Sequence, residues 1–381
     1  MRSTRRVIMI VALLFPLAVH AQAGNVDTAN QQTRQFIGQT MDALRIPGLQ
    51  IAVVQDGKVV LSESHGLANV ENKLPTTRAT RFPLNSATKS FTAVAMMQLA
   101  EAGKVNLDAP ISAYLADLPD AWRGVRVRQL LAHTSGLPDI LDAQGLLGGG
   151  TEAAAWTAVT QRPVDAAPGT RFTYNQTNYV LLARIIAAQS AMPYDRYVAT
   201  RQFDLAGMPS STFGDSYDLI ANSATIYSWF PRRTDAPDAA PRLSHWFYDM
   251  TPGLWAGGGM LTTGDDVAQW LVALTGNRLV NAAGTRRMWT PERLDDGSDG
   301  AWGAGWAVLQ RAPQRQVAGM GGARSAFIVY PDQGLAIVVL TNLVGANPQT
   351  FIPRIAAFYG VDAPAPAISR AARPSPAGSR R

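Results

Sequence analysis

The chain has no cysteine among its 381 residues. That excludes disulfides, a lipid-modified cysteine, and thiol or zinc-thiolate chemistry. Lysine is scarce too: Lys58, Lys73, Lys89 and Lys104 are the only lysines among 34 basic residues. Where charge alone matters, this chain uses arginine. His65, His133 and His245 show no ligand spacing, so neither a metal site nor a cofactor is expected. The body also lacks an excess of charge of either sign. The formal charge is +6, but Arg2, Arg5, Arg6, Arg370, Arg373, Arg380 and Arg381 lie in acid-free ends, which leaves −1 for residues 24–363. A broad electrostatic footprint for nucleic acid is therefore not expected. No heptad pattern runs along the chain, which excludes a coiled coil.

The apolar run Val7–Val19 is about 13 residues, short of the roughly 20 needed to span a bilayer. Arg2, Arg5 and Arg6 precede it, and Ala21-Gln22-Ala23 follows as a small-x-small cleavage site. Residues 1–23 read as a secretory signal peptide, so a periplasmic or secreted protein without a stable membrane anchor is expected. An uncleaved anchor is the alternative. Pro364–Arg381 has no periodicity and is expected to be a disordered tail. The composition between the ends, 47% hydrophobic over the whole chain, is ordinary for a globular domain. A domain of this length buries enough surface to manage without disulfides.

Leu49–Val54 and Lys58–Ser64 flank Asp56-Gly57, a two-residue hairpin signal. A second hairpin is expected from Phe327–Tyr330 and Leu335–Thr341 around Pro331-Asp332-Gln333-Gly334, with a further short strand at Ala304–Leu309. Between these β-rich ends the pattern is helical and loop-rich. Ser86–Ala102 is the clearest helix: Phe91, Val94, Ala95, Gln98 and Leu99 share a face, and Gly103 stands at the stop position. Tyr179–Gln189 and Asp265–Thr275 are further helix candidates. The expected fold class is α/β (α+β): an antiparallel sheet built from both chain ends with flanking helices, and an inserted, mainly helical region. The expected division is a sheet part at about 24–90 and 300–363, with the insertion at about 105–295. A ligand cleft is expected at their junction.

Ser86-Ala87-Thr88-Lys89 opens the clearest helix. Positions i and i+3 share a helix face, so the hydroxyl and the amine can meet. The helix start also favours developing negative charge. A buried lysine can act as a base, whereas arginine stays protonated. Lys89 is the one lysine with a serine three residues before it. On its own the pattern also fits an N-cap serine beside a surface lysine.

Four longer segments carry a resemblance. Phe82–Ala93 resembles the nucleophile segment of the serine β-lactamase and penicillin-binding-protein-like superfamily. Its nearest likeness is to the branch holding class C β-lactamases, D-Ala-D-Ala carboxypeptidases, D-aminopeptidases and β-lactamase-like esterases. Leu130–Leu137 is similar to that branch's loop signature, Phe172–Tyr179 to its tyrosine motif, and Ala256–Thr263 with Asp265-Asp266 to a later segment. The resemblance implies an acyl-serine mechanism with Ser86 as nucleophile and Lys89 and Tyr174 sharing its proton. It implies that the loop carrying His133 is structural. It also implies an oxyanion hole from the Ser86 N–H and that of Gly322 or Ala323.

Two departures from the family pattern bear on the substrate. Gln176 stands where the tyrosine motif has asparagine, with the same donor and acceptor on a longer arm. In the third motif the basic position falls on Gly319 or Met320, in the run Val317–Phe327. Neither binds a carboxylate. The expected substrate-contacting residues are Gln176, Gly321, Gly322, Ala323 and Arg324, the last as a possible substitute charge. The expected function is an exported serine hydrolase on small ester, amide or peptide substrates, with neutral esters preferred. The alternatives are a D-amino-acid peptidase, carboxypeptidase or β-lactamase, and a catalytically inactive ligand-binding member. Trp246, Phe247 and Trp255 are expected either at the cleft or in the core.

Overall fold

The computed structural model describes residues 17–143, 145–229, 242–310 and 314–361. The first 16 residues of the expected leader and the whole expected tail lie outside these. A helix at Leu17–Leu44 begins within the last residues of that leader. Among the described residues no helix is long and apolar enough to cross a membrane.

A seven-stranded sheet draws on both chain ends. Its order is Ala307–Gln310, Gln316–Gly321, Ser325–Tyr330, Leu335–Thr341, Gly48–Gln55, Lys58–Asn69 and Leu74–Pro75. Each neighbouring pair is antiparallel. The first hairpin turns at Asp56 (φ 49°) and Gly57 (φ 73°), the left-handed pair that a two-residue turn demands. The second turns through Pro331–Gln333 and Gly334 (φ 61°). Chain closure comes from Leu49–Gln55 pairing with Thr341–Leu335, almost three hundred residues apart in sequence.

All seven residues of Leu335–Thr341 are buried, because helices cover both faces of the sheet. Ala52, Val54, Phe327 and Val338 face one apolar cluster, shared with helices Thr88–Glu101 and Gly264–Thr275. Leu49, Ile51, Val53, Ile328 and Val339 face the other, closed by Leu17–Leu44 and Ile352–Phe358. The period-2 alternation of strand side chains produces this division. Gly264–Thr275, which lies within the insertion by sequence, packs directly on the central strands. The clearest helix is Thr88–Glu101, entered through a 3₁₀ turn at Asn85–Ala87. Eleven of its residues are buried, so this helix runs through the core rather than over it.

Candidate active site

Three stretches distant in sequence converge at the start of the buried helix. Strand Phe82–Pro83 pairs with Met260–Thr262, and the Leu84 N–H donates to the Met260 carbonyl at 2.8 Å. These contacts hold the turn from which Ser86 projects, half-buried and open to solvent. The preceding residue, Asn85, has φ 47°, a left-handed conformation that asparagine tolerates better than most residues. Ser86 lies in the first turn, where backbone N–H groups have no intrahelical acceptor.

Lys89 is fully buried. Its Nζ donates to Gln176 Oε1 at 2.9 Å and to the Gly257 carbonyl at 2.7 Å. The amine lies 4.7 Å from the centre of the Tyr174 ring and 4.9 Å from that of Tyr179. Burial pushes its pKa down to about 7, with Asp139 opposing that shift. A neutral amine has two N–H donors and one lone pair. Both donors are engaged, so the lone pair is left for a proton.

The Tyr174 hydroxyl donates to Ser86 Oγ at 2.8 Å. Desolvation pushes its pKa up to about 12 even though the residue is 37% exposed, so the phenol is protonated at neutral pH. Its ring rests on His133, centroids 4.3 Å apart, and meets the edge of Trp302 at 5.6 Å. His133 itself is fully buried and sits at φ 57°. Its Nδ1 accepts from the Asn175 N–H at 3.3 Å and lies 3.2 Å from Asn178 Nδ2. Both partners are donors, which assigns the proton to Nε2. Burial and the charge of Lys89 push its pKa well below 6.5, so it stays neutral. It supports the Tyr174 ring rather than reaching Ser86. Asn178 accepts from Ser135 Oγ at 2.6 Å and ties the same loop together.

Gln176 therefore contacts Lys89 despite its longer arm. A Cβ on Gly257 would fall 2.4 Å from Gln176 Oε1, so the glycine makes room for that arm. Asp139 accepts from the Gln176 N–H at 2.9 Å. Asp139 and Trp302 are not marked by any motif in the sequence, and Gly257 is marked only as part of the segment Ala256–Thr263. Asp139 had a signal, an acid two residues beyond the loop signature Leu130–Leu137. Trp302 had none.

The hairpin end between Gln316–Gly321 and Ser325–Tyr330 closes the other side. Gly321 meets no substrate through a side chain; its role is close approach. A Cβ there would lie 1.9 Å from the Leu84 carbonyl oxygen and 2.9 Å from the Ser86 nitrogen. Gly322 (φ 56°) and Ala323 (φ 55°) are both left-handed. At Gly319 a Cβ would strike the Phe327 ring at 2.2 Å, and Met320 packs against the second apolar cluster. Neither supplies a cation. Arg324 is turned into the protein, 2% exposed, with Nε donating to Asn85 Oδ1 at 2.8 Å. Trp255 stacks on Phe213 at 5.7 Å, whereas Trp246 and Phe247 line a separate groove of about 310 Å³ with Tyr248 and Glu71.

A sheet covered by helices on both faces, with a serine, a buried lysine and a tyrosine converging at a helix start, defines a class of serine hydrolases. The profile of the family described as Beta-lactamase matches residues 33–359, and the chain belongs to that family. It is 25% identical over 324 residues to Protein flp of Staphylococcus aureus (strain N315), covering 83% of this chain and 63% of that protein. It is 27% identical over 256 residues to the putative penicillin-binding protein PbpX of Bacillus subtilis (strain 168), covering 67% of this chain and 61% of that protein. The chain thus spans under two thirds of the length of these curated relatives. Among solved structures it resembles the octameric penicillin-binding protein homologue from Pyrococcus abyssi, with TM-score 0.71 and 27% identity, over 87% of this chain and 77% of that one. EstCE1, a hydrolase with promiscuous acyltransferase activity, shares the fold at TM-score 0.70 and 23% identity, over 91% of this chain and 100% of that one.

Proposed function

We propose that this protein is an exported serine hydrolase that cleaves small neutral esters through an acyl-enzyme on Ser86. The observation that carries the reading is the 2.8 Å hydrogen bond between Tyr174 and Ser86 Oγ beside a buried, weakly basic Lys89. Ser86 Oγ attacks the ester carbonyl carbon. Its proton passes to the Tyr174 oxygen as Tyr174 yields its own to Lys89. The carbonyl electron pair moves onto oxygen, held by the Ser86 N–H and that of Gly322 or Ala323. Collapse breaks the bond to the alcohol, which leaves with the proton, and water then repeats the sequence on the acyl-enzyme.

Substrate charge follows from what faces the site. A substrate carboxylate entering a site without a cationic partner loses hydration that nothing replaces. Gly319 and Met320 provide no such partner, and Arg324 is turned into the protein, its Nε spent on Asn85 rather than presented to a substrate carboxylate. A matched pair tests this: a short neutral ester and its carboxylate-bearing analogue with the same leaving group. Hydrogen bonds to a charged group are worth about 1.5–3 kcal/mol, so the neutral ester should win in kcat/KM by roughly 10- to 150-fold. Preference for the anionic analogue would overturn the substrate assignment. A fluorophosphonate probe should label the wild type and not Ser86→Ala by intact mass; equal labelling would remove Ser86 as nucleophile, and labelling of neither would favour a binding protein.

Export is supported by the arginines, apolar run and small-x-small site of residues 1–23. N-terminal sequencing of the mature protein should begin at Gly24, and an intact Met1 in the exported fraction would refute cleavage.

A further inference from the structure

Arg324 is a buried cation that the steps above leave unused. Among the described residues no carboxylate pairs with it. Its guanidinium carbon lies 5.1 Å from the centre of the Tyr248 ring, and its Nε holds Asn85 Oδ1. Burial lowers its pKa to about 10, which still leaves it charged at neutral pH. A buried charge without a counter-ion is costly unless something nearby compensates it. Its place in the fold supplies the reason to keep it. A Cβ on Gly322 would fall 3.2 Å from the Arg324 guanidinium carbon and 2.6 Å from Asn85 Oδ1. The guanidinium is therefore packed directly beneath the backbone of Gly322. Asn85 immediately precedes Ser86, and Gly322 leads into Ala323, so Arg324 touches both walls of the oxyanion hole. Asn85, Gly322 and Ala323 all have φ between 47° and 56°. Two of the three are not glycine, and such conformations persist only where the surroundings hold them.

We propose that Arg324 is a positioning residue of the oxyanion hole, which pins Asn85 and the Ser86 N–H against Gly322 and whose unpaired charge stabilises the tetrahedral oxyanion. The inference rests on the acyl-serine reading of the site. Arg324 neither gives nor takes a proton. Negative charge grows on the carbonyl oxygen as the Ser86 Oγ–carbon bond forms, and the guanidinium field meets it from the buried side of the turn. The ground-state ester is neutral and gains little from that field, so the effect belongs to the transition state.

The test compares the wild type with Arg324→Met and Arg324→Lys in the full-length protein. The readouts are turnover of a short neutral p-nitrophenyl ester and inhibition by a trifluoromethyl ketone, which forms an anionic adduct on the serine. Arg324→Met should lose about 10- to 100-fold in kcat at unchanged KM, with ketone affinity falling by a similar factor, as expected for weakening oxyanion stabilisation. Its melting temperature should stay close to that of the wild type, since removal of an unpaired buried charge offsets loss of the bond to Asn85 Oδ1. Arg324→Lys should recover part of the loss. Wild-type kcat in Arg324→Met would overturn the proposal. So would a loss confined to carboxylate-bearing esters, which would make Arg324 a substrate anchor. A loss that tracks lowered thermal stability and that lysine does not relieve would also overturn it, leaving a purely structural role. Undiminished turnover in Ser86→Ala would instead defeat the acyl-serine reading, whatever Arg324 does.

Discussion

Lys89→Arg should lose about 10²- to 10⁴-fold in kcat, the range for removing a positioned acid-base group, while binding the ester almost as before. Arginine keeps the charge but cannot release the proton that makes Lys89 a base. Tyr174→Phe should lose at least about 10²-fold, because it deletes the hydroxyl that bridges to Ser86. The pH profile identifies the group responsible. Lys89 is competent when neutral, so kcat/KM should rise with pH through a midpoint near 7. The groups around the amine are Asp139, neutral His133 and the rings of Tyr174 and Tyr179. Asp139 is the acid whose charge favours the ammonium, so Asp139→Asn should move the rising limb to lower pH. Stability provides an independent reading. The folded pKa lies below the unfolded value of 10.5, so between pH 7 and 10.5 the unfolded chain binds more protons at this residue. Wild-type stability should therefore rise with pH across that window, by up to about 1.4 kcal/mol per unit from this group. Lys89→Met should lack that slope. A Lys89→Arg variant with wild-type turnover at matched thermal stability would remove Lys89 from the chemistry.

Gly321→Ala should be nearly as damaging, although the side chain it adds is a single methyl. The methyl would meet the Leu84 carbonyl oxygen at 1.9 Å and the Ser86 and Ala87 nitrogens at 2.9 and 3.0 Å. These are backbone atoms and cannot swing aside like a flexible side chain. Either the strand or the nucleophile turn must move. Overpacking of this kind costs about 1–3 kcal/mol of stability. Displacing the Ser86 N–H from the oxyanion position should cost a further 10²- to 10³-fold in kcat, the range for losing one such donor. Measured together, a lowered melting temperature and a fall in kcat at similar KM are expected. An alanine variant that keeps wild-type kcat would show that the strand does not set the position of the Ser86 N–H. Arg324, on the far side of the same turn, is expected to act with Gly321 rather than additively, because both position Ser86 through the Leu84–Asn85 backbone.

The local chemistry of this protein was legible in its sequence, and its long-range geometry was not. The Ser86–Lys89 spacing places both groups at one helix start because helical periodicity alone puts i and i+3 on one face. Asp56-Gly57 and Pro331–Gly334 announce hairpins because left-handed backbone and a fixed proline φ are intrinsic to those residues. The two ends join into one sheet only through the pairing of Leu49–Gln55 with Leu335–Thr341, which no local signal contains. Other features depend on atoms far apart in sequence. Tyr174 reaches Ser86 across 88 residues, and Gln176 reaches Lys89 across 87. The basicity of Lys89 is set by complete burial, which a local window does not contain. Arg324 reads as an available charge in sequence, yet tertiary packing turns it toward Asn85, 239 residues away, and under Gly322. Gly321 reads as a substrate-contacting residue in sequence, but the approach of the strand to the Leu84 carbonyl makes it a packing requirement. Helix Leu17–Leu44 is hard to read as an apolar stripe, because its buried residues Ala29, Thr33 and Ile37 have helical spacing but only Ile37 is large and apolar. Propensity and turn chemistry act between neighbours along the chain, whereas desolvation, ring contacts and steric approach depend on which residues the completed fold brings together.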